Sequence, residues 1–212
     1  MFNIIYMIIC DKKKFVFIHI PKNSGTEITK ELQETYKNTK LLMWCERDGK
    51  NIGIDKMHLY YDVIYDFISK DILDNYFKFC IIRNPYNKLY SAWNFIKERH
   101  GYSNVNDFIK FKLNEEFIYG KEIIHGDARV HYRPQFTFVY DNKNNKFADF
   151  IIRYENLNED ISKMNESYGL NIKLYDNGNT KQSYINFLNK DSILKINSLY
   201  KKDFEFFNYE ML

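Results

Sequence analysis

The sequence predicts an α/β fold in three layers, with a central, mostly parallel sheet flanked by helices and a β-hairpin in the second half. Three observations predict it. In the first half, apolar β-branched runs alternate with segments of helical spacing, which implies parallel strands joined by right-handed crossovers. Capping and turn residues stand where one pattern gives way to the other. In the second half two apolar runs flank a polar Asn/Lys turn, the pattern of a hairpin. The 212 residues are read as one domain, 1–212, long enough for a sizeable core. Aromatics make up 18% of the chain, so that core should be rich in Phe and Tyr.

The elements follow in order. The run Met1-Phe-Asn-Ile-Ile-Tyr-Met-Ile-Ile-Cys10 is apolar but short of the roughly 20 residues a membrane span needs. It lacks the early positive charge and small-residue cleavage site of a signal peptide, so it reads as a strand or a lead-in to the sheet. Residues 15–20 read as a strand and 26–36 as a helix, with Ile28, Leu32 and Tyr36 on one face. Residues 41–45 read as a second strand, and 59–69 as a helix carrying Val63, Ile64, Phe67 and Ile68. A strand at 77–83, a helix at 86–99 and a helical stretch at 105–117 follow. The hairpin has arms at 137–140 and 147–154, its turn at 141–146 an exposed loop tip. Helices are expected at 159–168 and 192–207. There is no internal repeat, low-complexity linker or domain boundary.

A net charge of +3 is too weak to point to nucleic acid or an anionic membrane. Three cysteines cannot all pair within the chain; Cys10 and Cys80 lie in apolar runs and read as buried free thiols. Nothing resembles a CxxC or Cys/His zinc arrangement, and a reducing compartment fits. A soluble cytoplasmic protein without membrane anchor is the expectation.

The chemistry concentrates at the first junction, Phe15-Val-Phe-Ile-His-Ile-Pro-Lys-Asn-Ser-Gly-Thr26. A loop between strand and helix aims backbone N–H groups and a helix N-terminus at one point, which attracts phosphate. Lys22 adds a full positive charge there. A Walker A loop reads G-x-x-x-x-G-K-[ST], whereas here Lys22 precedes Gly25 and the first glycine is missing. That departure argues against an ordinary ATPase or kinase. The order Pro-Lys-x-x-Gly-Thr instead resembles the 5′-phosphosulfate loop of sulfotransferases that use 3′-phosphoadenosine 5′-phosphosulfate (PAPS). The resemblance is strongest to the carbohydrate-type branch, whose loop often reads Pro-Lys-Thr-Ala-Gly-Thr.

A second junction supports the first. Phe77-Lys-Phe-Cys-Ile-Ile-Arg83 is an apolar strand ending in an arginine, followed by Asn84 as N-cap and Pro85 in the first helical turn. Arg83 thus stands at the carboxyl end of a strand, where open α/β sheets bind ligands. The run from Arg83 to Ser91 resembles the family's 3′-phosphate segment, in which an arginine and a serine eight positions later hold the ribose 3′-phosphate. The guanidinium fork suits that task. The family often has arginine where Lys88 stands; a lysine lacks the fork, and no contact is assigned to it. His131-Tyr-Arg-Pro-Gln135, Asp149-Phe-Ile-Ile-Arg-Tyr-Glu-Asn-Leu157 and the run from Leu199 to Tyr209 resemble further family segments, so the resemblance spans about 15–209.

The resemblance implies a P-loop-like α/β fold and sulfuryl transfer from PAPS to a hydroxyl, on a carbohydrate or other small-molecule acceptor, with no metal. It places Lys22, Asn23, Ser24, Gly25, Thr26 and Glu27 around the phosphosulfate, with Arg83 and Ser91 on the 3′-phosphate. Lys22 is also a catalytic residue by this resemblance. Among the histidines, His19 lies inside a strand, and His100 and His125 lie in polar surroundings. His58 stands where some members carry the catalytic base. His131 is the reserve candidate for base or acceptor contact, with Arg133 beside it, and Glu27 stays open as a base because some related enzymes use glutamate. Lys181, in a polar loop that closes over the cofactor in the family, falls where histidine is frequent. Two other readings are a P-loop kinase or NTPase, which would want a Walker A lysine and a Mg²⁺-binding acid, and a non-catalytic nucleotide-binding protein of the same fold.

Overall fold

The computed structural model describes residues 7–37, 39–42, 56–120, 128–173 and 184–212. The predicted contribution of Lys181, the position of His125 and the far end of the 41–45 strand lie outside them. Strands β1 (Met7–Cys10), β2 (Phe15–Ile18), β3 (Lys40–Leu42), β4 (Phe77–Ile82) and β5 (Phe150–Arg153) form one sheet in the order β3-β1-β2-β4-β5. β2 pairs in parallel with β4, and β4 with β5; β1 is antiparallel to both its neighbours. β3 therefore runs the same way as β2, and only β1 opposes the shared direction. The described end of the apolar run at the start of the chain, Met7–Cys10, is thus a sheet strand, as the sequence suggested.

Side-chain alternation along β2 decides the layers. Val16 and Ile18 face one side, where they pack with Cys80, Ile82, Leu59, Ile64, Phe138 and Val139. Phe15 and Phe17 face the other, with Phe79, Ile81 and two helices. Those helices are α1 (Gly25–Thr35), contributing Ile28 and Leu32, and, much later in the chain, the 157–168 helix, contributing Ile161 and Met164. The period of two in the strands and of 3.6 in the helices so produces a helix–sheet–helix sandwich.

Between β3 and β4 lie α2 (Tyr61–Ile64) and α3 (Lys70–Asn75). The single helix expected over 59–69 is one turn only, yet Ile64 and Ile68 still enter the core. α4 (Pro85–His100) starts as predicted, with Asn84 Oδ1 accepting from the Tyr86 N–H at 3.0 Å and Pro85 in its first turn. The stretch 105–117 divides into α5 (Val105–Phe111) and α6 (Glu115–Tyr119), because Asn114 caps the second piece by accepting from the Phe117 N–H at 2.8 Å.

The predicted hairpin is replaced by a different arrangement. Its first arm is a helical turn, α7 (Phe136–Val139), and only Tyr140 and Lys146 form a bridge across the polar turn. The second arm is β5, which joins the central sheet instead. The cause is the carboxylate of Asp203, which accepts from the Gln135 N–H at 2.9 Å and the Phe136 N–H at 2.8 Å and so caps a helix start. α8 (Leu157–Tyr168) follows, and the helix expected over 192–207 breaks at Tyr200 into α9 (Lys190–Leu199) and α10 (Lys201–Phe207). The break lets the Tyr200 hydroxyl donate to the Tyr132 carbonyl at 2.7 Å while Asp203 reaches residues 135 and 136. α4, α5, α6, α9 and α10 share a further core around Trp93, Phe108, Tyr132 and Phe204.

Candidate functional site

The carboxyl ends of the parallel strands β2, β4 and β5 lead into the 19–24 loop, Arg83 and Tyr154. The loop takes its shape from two non-glycine residues in the left-handed region, Lys22 (φ 69°) and Ser24 (φ 61°). Such residues cost of order 1–3 kcal/mol each and persist only where their surroundings hold them. Asn23 between them does the holding. It is fully buried, and its Nδ2 donates to the Ile81 carbonyl and to Gln135 Oε1, both at 2.8 Å. Left-handed turns of this kind gather backbone N–H groups toward one point. Ser24 precedes α1 without capping it by its side chain, so the first-turn N–H groups of Gly25, Thr26 and Glu27 have no intrahelical acceptor.

Gly25 is needed for space. A Cβ there would lie 1.7 Å from Nε2 of His19, whose buried ring fills the room beside the loop. Gly25→Ala should therefore lower the melting temperature, and His19→Ala in the same chain should recover much of the loss, because it empties that space. A thermal melt of the two variants checks this; an unchanged single variant removes the packing argument.

Lys22 and Arg83 bring two cations to the loop. The Arg83 Nη1 donates to the Lys22 carbonyl at 3.3 Å, while its buried Nε has no hydrogen-bond partner. Its guanidinium lies over the Tyr154 ring, 4.2 Å from the centroid, with the Tyr184 ring at 5.7 Å. The Lys22 ammonium sits 3.8 Å from the centroid of Phe95. Burial, and then the Arg83 charge, pull the Lys22 pKa down to about 8 against the opposing pull of Glu27. Desolvated cations held side by side in this way suit an anion.

Histidines line the adjoining wall. His58 is buried and its Nδ1 lies 3.1 Å from the His19 carbonyl. With that carbonyl as acceptor, Nδ1 carries a proton, which leaves Nε2 as the nitrogen that bears the lone pair in the neutral ring. The His58 ring meets His19 edge-on at 4.5 Å and His131 at 5.5 Å, and His131 meets Phe95 at 5.6 Å. Burial, followed by the charges of His58, His131 and Lys22, holds His19 well below the usual imidazole range, so it stays neutral. The path Lys22–Phe95–His131–His58 places the predicted base and the loop lysine on one wall.

Lys22, Arg83, His58 and His131 are linked in this region by the contacts above. Lys22, Ser24 and Thr26 are part-buried around the loop, Glu27 is exposed on the first turn of α1, and Ser91 is part-buried on α4. The side chain of Asn23 turns inward to brace the loop. Arg133 is also turned inward, its guanidinium 3.4 Å from the centroid of the Tyr60 ring. Lys88 is buried and donates to the carbonyls of His131 (2.8 Å) and Arg133 (3.0 Å), a brace for that segment, with its pKa lowered to about 8 by burial.

Sequence reasoning missed Gln135. Fully buried, it accepts from the Arg83 N–H (2.9 Å), donates to the Arg83 carbonyl (2.8 Å) and accepts from Asn23. One amide thus fixes both cation-bearing segments relative to each other. The Arg-Pro-Gln segment was its only signal in the chain, and it carried no hint of its partners. Phe95 and the tyrosines around Arg83 were likewise silent.

A model described as "Sulfotransferase family" matches residues 6–210. A protein from Archaeoglobus fulgidus, described as "Uncharacterized protein", is 32% identical over 108 residues, covering 51% of this chain and 80% of the relative. No solved structure matches significantly.

Proposed function

Because this chain belongs to the sulfotransferase family, we propose that it moves a sulfuryl group from PAPS to an acceptor hydroxyl, on a carbohydrate. The observation that carries this reading is the convergence of Lys22, Arg83 and the open first turn of α1 on one point, with a buried Arg83 Nε left over for a further acceptor. PAPS would supply both the sulfuryl group and a leaving phosphate. The residues present fit it.

Lys22, the N–H groups of residues 23–27 and the Thr26 hydroxyl hold the 5′ end and receive charge as it builds on the leaving oxygen. Glu27 stands on the same turn, and its carboxylate favours the charged form of Lys22 against the pull of burial and Arg83. Arg83 and Ser91 hold the 3′-phosphate. His58 takes the acceptor proton at Nε2, since its Nδ1 proton is engaged by the His19 carbonyl. His131 is the reserve candidate for the base or an acceptor contact, whereas Arg133 braces Tyr60 from within.

Calorimetry with 3′,5′-adenosine bisphosphate against AMP tests the reading. Hydrogen bonds to a charged group are worth roughly 1.5–3 kcal/mol, so the bisphosphate should bind at least about 10-fold more tightly. Equal affinities remove Arg83 and Ser91 from the 3′-phosphate site.

A further inference from the structure

Phe95 is a large aromatic side chain left mostly outside the core. It lies on α4, one turn after Ser91, and is 61% exposed. Residues four apart on a helix share a face, so Phe95 stands beside Ser91 toward the loop. Its ring faces the Lys22 ammonium at 3.8 Å and packs on its other contact against His131. Among the described residues, the ring contacts of the side chain are the loop lysine and His131.

We infer that Phe95 is a positioning residue for Lys22, its ring holding the ammonium in place as a carboxylate would, but without neutralising it. The inference rests on the sulfuryl-transfer reading above. A carboxylate at this distance would hold Lys22 more strongly, but the incoming phosphosulfate would then have to displace a counter-ion. A ring quadrupole attracts the cation while adding no net charge, so the field offered to the anion is kept. The attraction is also weak enough to be given up when an anion arrives. Glu27 adds a longer-range pull on the Lys22 charge, but its side chain is exposed, and a long, flexible lysine without a ring against it would sample more rotamers.

The test compares Phe95→Leu, Phe95→Tyr and Lys22→Ala. Phe95 is exposed, so truncation to Leu leaves the core intact. In the free protein, the Lys22 Cε protons should resonate upfield through the ring current; the shift should vanish in Phe95→Leu and persist in Phe95→Tyr. Donor kcat/KM should fall by about fivefold in Phe95→Leu and recover in Phe95→Tyr, with acceptor KM unchanged. An ordinary Lys22 resonance in the wild-type protein overturns the inference, as does a Phe95→Leu enzyme equal to wild type. A loss confined to acceptor KM overturns it too and makes Phe95 an acceptor contact. If Lys22→Ala keeps full turnover while the ring-current shift is present, the sulfuryl-transfer role of Lys22 fails, and the contact is left as a structural one.

Discussion

Lys22→Ala is expected to lower sulfuryl-transfer turnover by about 100-fold or more, while acceptor KM changes little. Removing one preorganised donor from the site of developing charge typically costs about 10²–10³ in kcat. Lys22 is well placed for that size of effect. It is part-buried beside the N-terminus of α1 and close to Arg83, where electrostatic contributions are less screened than at a free surface. The pH dependence gives a second check. Burial lowers the Lys22 pKa from 10.5 to about 8, so the ammonium is complete below that pH and is lost above it. Donor kcat/KM, which reports the free enzyme, should therefore fall as the pH rises through about 8. In kcat the limb should lie higher, because a bound phosphosulfate favours the charged lysine. Lys88 has a similarly lowered pKa, but it is tied to two backbone carbonyls. Lys22→Arg separates the two: the alkaline limb should move out of range if it belongs to Lys22, and stay if it belongs to Lys88.

Gln135→Leu should be the most damaging change outside the charged residues. It strands the Arg83 N–H and carbonyl and one Asn23 donor bond, all buried. A stranded buried polar group costs about 1–3 kcal/mol, so the total should exceed about 3 kcal/mol. Against a usual stability of about 5–15 kcal/mol that is a large share, and a chain of this size should lose on the order of 10 °C in melting temperature. The damage is also directional. Whatever protein still folds should discriminate poorly between 3′,5′-adenosine bisphosphate and AMP, because the arginine and the lysine loop are no longer fixed to each other. A melting temperature within about 2 °C of wild type, with discrimination kept, would show that the amide is not the clamp.

What the sequence made legible was local. The change of period after residue 20 marked the first junction. Asn84-Pro85 marked the second, and both recur in the structure where they were expected. The misread elements were decided by distant partners. Residues 137–140 have a strand's composition, but Asp203, more than sixty residues on, captures the N–H groups at 135 and 136 and starts a helix. The 105–117 and 192–207 helices break at Asn114 and Tyr200, and only the latter's contact with the Tyr132 carbonyl shows why the interruption is useful. Within the site, single charged residues could be picked out by motif, whereas Gln135 and Phe95 act through neighbours that no spacing rule connects. Even Asn23, inside the motif, was read as facing the ligand side, while its amide points into the protein.

The Gln135 clamp has a consequence for the order in which this protein is made. Asn23 is joined to Gln135 across 112 positions, and Gln135 to Asp203 across a further 68. The loop near residue 22 leaves the ribosome early, yet only part of what holds the strained backbone of Lys22 and Ser24, the Ile81 and Arg83 bonds, is available before Gln135 arrives, and Gln135 is itself fixed by Asp203 of α10. Contacts so far apart in the chain are slow to form, because loop closure comes before any reward. Ligand binding should therefore be among the last properties to appear during refolding, well after the helices have formed.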